Sequence, residues 1–212
     1  MSIIISFIEP ESEGPRMPRI APAPLEQYAP LVGVDAPLRQ QVYAQAPELV
    51  GPYLQFMAAL RDKGTLPARL IELLRLRIAF HNQCRSCMAI RYSSGLDDGV
   101  TENLVCSLER PEEADDLTEA ERAAIGYADL MATNHHAISD ETFAALRQHF
   151  DDAEIVELCF HVALYVGFGR MGMSLDMVDD LPAGYREDGP VTPWRQPEVL
   201  ELAGWSAPDA AG

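Results

Sequence analysis

Apolar residues recur at helical spacing through the middle of the chain. Between residues 38 and 63 they fall at Val42, Val50, Leu54, Met57, Ala58 and Leu60, with Pro47 and Pro52 interrupting the first part. Leu70, Leu73, Leu74, Leu76 and Ile78 follow Pro67. Proline suits a first helical turn, where its missing N–H would have had no partner. Another helical segment is predicted from about Cys84 to Gly95, a residue type that ends helices, and a short one over 101–108. Thr118 with Glu121 reads as a capping box for a helix over 118–133, whose apolar side is Ile125, Ala128, Leu130 and Met131. Ser139 or Asp140 caps 140–149, and Asp151 with Glu154 caps a last long helix. That helix is apolar nearly all round, from Ile155 and Val156 through Leu158, Phe160, Val162, Ala163, Leu164 and Val166. It therefore belongs at the centre of the fold or at a subunit contact. No stretch alternates with period two and no short repeat occurs, so the pattern predicts an all-α fold.

The two ends read differently. Pro10, Pro15, Pro18, Pro22, Pro24, Pro30 and Pro37 crowd the start. Proline fixes φ and lacks a donor, so residues 1–40 are expected to form an extended arm rather than continuous helix. Residues 41–180 form the helical domain. Residues 181–212, with Pro182, Gly184, Gly189, Pro190, Pro193, Pro197 and Gly204, are expected to be an irregular tail that Trp194 and Trp205 can pin to a surface.

The totals narrow the function classes. Hydrophobic residues make up 48% of 212, enough for a full core. The net charge of -17 repels phosphate backbones and anionic membrane surfaces, so neither nucleic acid nor membrane is an expected partner. No continuous apolar run reaches the roughly 18 residues of a membrane span. The start lacks the basic region of a secretory signal, so a signal is not expected and a cytoplasmic location is. Four cysteines are too few for a disulfide scaffold.

Two of the four are close together, in Cys84-Arg85-Ser86-Cys87. At a helix start, residues three apart share a face and can form a disulfide, and the helix dipole favours a thiolate. A thiolate is the nucleophile of peroxide reduction and disulfide exchange. The plainer reading is two buried small apolar residues. A structural zinc site needs four ligands; no second Cys-x-x-Cys exists, and His81 alone does not complete one. Glu72 sits among Ile71, Leu73 and Leu74, where a carboxyl group can serve as general acid or base; the plain alternative is an exposed helix glutamate.

The stretch from Glu72 to Cys87 resembles the signature of the alkylhydroperoxidase D-like (carboxymuconolactone decarboxylase) superfamily: a glutamate, eleven residues, then Cys-x-x-Cys at a helix start. Gly95-Leu96-Asp97 looks like the family's Gly-Leu turn. Leu117-Thr118-Glu119-Ala120-Glu121-Arg122-Ala123-Ala124, Ile138-Ser139-Asp140, Ile155-Val156-Glu157-Leu158 and Gly167-Phe168-Gly169-Arg170 resemble its second half. The likeness covers roughly residues 45–178. It implies an all-α helical bundle, often trimeric or hexameric, without a cofactor. It also implies that Cys87 attacks the peroxide, Cys84 resolves the product and Glu72 relays protons. The electron donor would be a dithiol, either a lipoyl group or a thioredoxin-like partner, and the substrate a hydroperoxide or another small molecule.

The chain departs from that pattern four residues after Cys87, where the family's histidine is replaced by Arg91; Arg85 and Ser86 also fill positions where the family often carries histidine. From a continuing helix Arg91 would face Cys87 and favour its thiolate or hold an anionic substrate. It cannot shuttle a proton. His81 is the candidate substitute. The competing readings are a cofactor-free lyase or isomerase and a non-catalytic redox-sensing oligomer. His135 and His136 read as surface residues, His161 as a hydrogen-bonded core histidine, Arg170 as a partner for an acid or a site residue, and Cys106 and Cys159 as buried thiols.

Overall fold

A computed structural model describes residues 17–186 and 189–203. The fold is all-α, as the apolar spacing predicts. Its helices are α1 (Leu25–Val32), α2 (Leu38–Tyr43), α3 (Pro47–Lys63), α4 (Ala68–Asn82), α5 (Arg85–Ala89), α6 (Ser93–Asp97), α7 (Glu102–Ser107), α8 (Glu119–Thr133), α9 (Asp140–Leu146) and α10 (Asp152–Leu175). Two three-residue strands, β1 (Ile90–Tyr92) and β2 (Leu200–Leu202), form a parallel pair.

Helix α4 is the axis of the fold, packed between α8 and α10. Its Leu73, Leu74, Leu76 and Ile78 have no exposed surface, and burial of each is worth roughly 1.5–3 kcal/mol. The expected caps form. The Thr118 side chain accepts from Glu121 N at 3.1 Å while Glu121 accepts from Thr118 N at 2.8 Å. Asp151 and Glu154 make the same reciprocal pair at the start of α10. Each pair satisfies amides that the first turn leaves open.

Helix α10 buries one side against the core, while Val156, Phe160 and Met173 on it remain exposed. By length and averaged composition (24 residues, mean hydropathy 1.3) it is also long and apolar enough to cross a membrane, although the sequence holds no unbroken apolar run of that length. Here it lies against α4 and α8, and its polar residues are engaged within the fold. Glu157 accepts from Thr65 and Leu66 amides, and Arg170 donates to Asn82 Oδ1 and to the Ala132 carbonyl. Arg170 thus ties α10 to α4 and α8 within one chain.

Three expectations need correction. The proline-rich start is not extended throughout: Pro24 and Pro37 immediately precede α1 and α2, and Pro30 lies within α1. Proline's fixed φ is compatible with a helix entry, so the same residues that forbid one long helix start two short ones. The segment from Cys84 to Gly95 is not one helix. It stops at Ala89, because Ile90–Tyr92 is extended and pairs with Leu200–Leu202. That partner is more than a hundred residues away, beyond the reach of local periodicity. Finally, the tail is less loose than expected. Trp194 is buried with its ring 4.7 Å from Phe80, and Tyr185 is fully buried and donates to the Met88 carbonyl at 3.2 Å. Trp205 lies outside the described residues.

Candidate active site

The site begins where α4 ends. Gln83 takes a left-handed conformation (φ 51°), the usual way to stop a helix and turn the chain. Its side chain accepts from Val191 N at 2.9 Å and donates to the carbonyls of Phe80 and Val191. The turn delivers Cys84 to the N-cap of α5, with Cys87 inside it. The two cysteines are joined as a disulfide, Cα atoms 5.2 Å apart. Cys84 is fully buried against α10, where the absence of a side chain on Gly172 makes room: a Cβ there would stand 3.3 Å from the Cys84 sulfur. Cys87 is half-buried and lines a cavity of about 60 Å³.

Five further elements close that cavity around the cysteine turn, α3 and α10 among them. Helix α2 contributes Arg39, α4 contributes Arg75 and β1 contributes Tyr92, with Tyr53 and Tyr165 completing the wall. Arg39 Nη2 donates to the Tyr92 hydroxyl at 3.1 Å, and the Arg75 guanidinium lies 4.8 Å from the Tyr92 ring centre. Burial pushes the Tyr92 phenol up, but the two guanidinium groups outweigh it and hold it below the ordinary tyrosine value. Tyr53 and Tyr165 go the other way, because burial dominates for them. Tyr92 is therefore the acidic phenol of the group.

Glu72 is buried, and its carboxylate is occupied. It takes two bonds from Arg75, at 2.6 and 2.7 Å, and one from Tyr92 N at 3.1 Å. Arg75 in turn donates to the carbonyls of Cys87 and Ile90, at 2.5 and 2.6 Å. Glu72 thus acts on the cysteine loop through Arg75. Gly95 permits this closeness, since a Cβ there would fall 2.7 Å from Glu72 Cβ.

Arg91 and His81 are placed away from the roles expected of them. Arg91 is on β1, not one turn further along α5, and is 1% exposed. Its donors go to Glu102, at 2.7 and 3.1 Å, and to the carbonyls of Met88, Ile90 and Pro193. All five guanidinium N–H groups serve structure. His81 Nε2 meets Asp129 Oδ1 at 2.7 Å, beside the Arg77–Asp129 pair. It joins α4 to α8.

A second cavity, of about 180 Å³, lies between α3, α4 and α10. Met57, Tyr92 and Tyr165 line both cavities. His161 also faces it, buried, with Nδ1 3.3 Å from the Tyr165 hydroxyl. His135 and His136 are exposed, and no cluster able to hold a metal occurs among the described residues. Cys106 and Cys159 are free and half-buried, and Cys159 accepts from Tyr127 OH at 3.2 Å. Arg39, Arg75 and Tyr92 were not singled out from the sequence. Only Arg75 carried a local signal, its i,i+3 spacing from Glu72.

Fold and site together define an all-helical protein with a Cys-x-x-Cys disulfide beside a small cavity and a buried glutamate behind it. Residues 47–130 match the carboxymuconolactone decarboxylase family, and that segment belongs to the alkylhydroperoxidase D-like (carboxymuconolactone decarboxylase) superfamily. An uncharacterized protein of Mycobacterium tuberculosis is 33% identical over 107 residues, 50% of this chain and 38% of that relative. The chain thus matches well under half the length of that relative. An Agrobacterium tumefaciens protein of unknown function, linked by name to the antioxidant defence protein AhpD, has a similar structure. Its TM-score is 0.55 at 26% identity, covering 63% of this chain and 92% of that one. A peroxidase-related protein from Silicibacter shares the fold, with a TM-score of 0.55 at 16% identity over 85% of this chain and 97% of that one.

Proposed function

We propose that the protein is a thiol-dependent hydroperoxide reductase working through Cys87 and Cys84. The observation that carries this reading is the Cys84–Cys87 disulfide, with Cys87 on a cavity wall and Cys84 buried behind it. A substrate entering the cavity meets Cys87, so Cys87 is the attacking residue and Cys84 the resolving one.

In the reduced protein the Cys87 thiolate attacks the terminal oxygen of a hydroperoxide. The S–O bond forms, the O–O bond breaks, and the departing alkoxide takes a proton. Tyr92, on the same cavity wall and made acidic by Arg39 and Arg75, supplies it. The Cys84 thiol then attacks the Cys87 sulfenic acid, forming the disulfide and releasing water. A dithiol donor, a lipoyl group or a thioredoxin-like protein, returns two electrons and two protons by exchange. The reducing cytoplasm keeps such donors available. The exposed Phe56, Val156 and Phe160 on α3 and α10 support assembly with further copies of the chain, and the family resemblance implies a trimer or hexamer; sedimentation as a monomer at micromolar concentration would remove that part.

The test is consumption of cumene hydroperoxide with dihydrolipoamide, wild type beside Cys87→Ser. Turnover in the wild type and a loss of about a thousandfold or more in the variant supports the reading. Equal turnover in both, or none in either with the thiols verified as reduced, overturns it.

A further inference from the structure

The two adjoining cavities differ in size. The one at Cys87, about 60 Å³, has room for little more than a peroxide group, and Arg39, Arg75 and Tyr92 stand there among apolar neighbours. The other, about 180 Å³, is lined mainly by carbon, with Met57, Leu60, Leu66 and Ile71 contributing much of its wall. It is slightly larger than a cavity of about 150 Å³ known to hold benzene. Its charged residues already have partners: Arg61 pairs with Asp62, Glu72 is held by Arg75 and Tyr92 N, and Glu157 by Thr65 and Leu66 amides. Burial also favours the neutral form of His161. This lining suits an uncharged organic group better than an ion.

We propose that the cavity between α3, α4 and α10 binds the organic part of the substrate, a single aromatic ring or a short branched alkyl group. Its hydroperoxide end reaches Cys87 past Met57, Tyr92 and Tyr165, the residues common to both cavities. Met57 is unbranched and flexible, which suits a yielding partition. The inference rests on the hydroperoxide reading for its substrate, but the pocket itself is testable without turnover. Hydrogen peroxide, which has no organic part, gains nothing from the pocket.

The test fills the pocket from its wall with Ala68→Phe, and with Leu60→Trp should the first variant fail to fold by circular dichroism. Neither residue lines the cavity at Cys87. Binding of 2-phenylpropan-2-ol, the alcohol left by cumene hydroperoxide, is followed by titration calorimetry in wild type and variant. Alongside it, kcat/KM is measured for cumene hydroperoxide and for hydrogen peroxide. The expected result is saturable alcohol binding by the wild type that weakens about tenfold or more in the filled variant. The cumene hydroperoxide constant falls by a similar factor, and the hydrogen peroxide constant stays within about twofold. Equal alcohol binding by wild type and filled variant, or no binding by the wild type, overturns the pocket assignment, as does an equal loss on both peroxides. Alcohol binding lost in the variant with no turnover of either peroxide by the wild type upholds the pocket and sinks the reductase reading.

Discussion

Glu72 and Arg75 form a buried, two-bonded ion pair three residues apart on α4, and the same guanidinium holds the carbonyls of Cys87 and Ile90. The pair therefore fixes the backbone on both sides of the turn from α5 into β1. Arg75→Met would leave a buried carboxylate and two carbonyls without their donor. Its expected cost is about 3–5 kcal/mol in urea denaturation of the oxidised protein. Glu72→Gln keeps an acceptor for Tyr92 N but leaves the buried Arg75 cation without its counter-charge, and should also cost about 3–5 kcal/mol. If Glu72 positions rather than relays, the Glu72→Gln protein retains most of its turnover once folded. A collapse of turnover in the folded variant would restore the proton-relay role.

The acidity of Tyr92 depends on Arg39. Burial alone raises a phenol, as it does for Tyr53 and Tyr165, and only the nearby guanidinium groups reverse this at Tyr92. A titration by absorbance at the phenolate band, taken as wild type minus Tyr92→Phe, should therefore show a group ionising below the ordinary value of 10. Arg39→Met should move it upward. Tyr92→Phe should slow peroxide turnover by about a hundredfold while the Cys84–Cys87 disulfide still forms. A normal phenol, or full activity in Tyr92→Phe, would remove it from the reaction.

These contrasts show which features a linear reading can reach. The helices of the core were legible because their causes are local: leucines one turn apart on α4, and the Thr118–Glu121 and Asp151–Glu154 caps. The cysteine pair was legible for the same reason. The break at Ile90 was not, since it depends on Leu200–Leu202 and on Pro193, which accepts from Arg91. Arg39 was hidden further still. It lies in a stretch dominated by prolines, and only the packing of α2 brings it to Tyr92. Spacing alone leaves an exposed glutamate open at Glu72; the residue is buried, and its buried partner changes what its carboxylate can do.

Arg91 stands where the family resemblance implies a histidine, so Arg91→His invites the expectation of a faster enzyme. The contacts argue otherwise. An imidazole cannot supply the donors that now reach Glu102, Met88, Ile90 and Pro193. Glu102 is half-exposed and can return to water, so most of the cost comes from the buried carbonyls. A loss of about 2–4 kcal/mol in urea denaturation is expected, with no gain in turnover. A stable and faster Arg91→His protein would show that β1 can rejoin α5 as helix and bring the ring to Cys87.

His161 makes the fold sensitive to mild acid. Burial lowers its pKa below the ordinary 6.5, and Glu157, 3.8 Å away, offsets this only in part; Tyr165 OH is its other polar neighbour. The unfolded chain therefore takes up a proton at this residue more readily than the folded one. The stability that this preference contributes is complete above pH 6.5 and is lost as pH falls through the folded-state value. Asp129, Glu121 and Glu157 also have lowered values, but their contributions are lost only as pH falls from their ordinary 3.8 and 4.5. The window just below 6.5 thus belongs to His161 among these shifted groups. His161→Gln keeps a polar group for Tyr165 and cannot become charged. Urea midpoints compared at about pH 7.5 and about pH 5.5, on either side of the ordinary histidine value, should fall more for the wild type than for His161→Gln. A wild type that instead gains stability relative to the variant on acidification would mean that pairing with Glu157 outweighs burial, and that His161 is held as a cation against the apolar cavity.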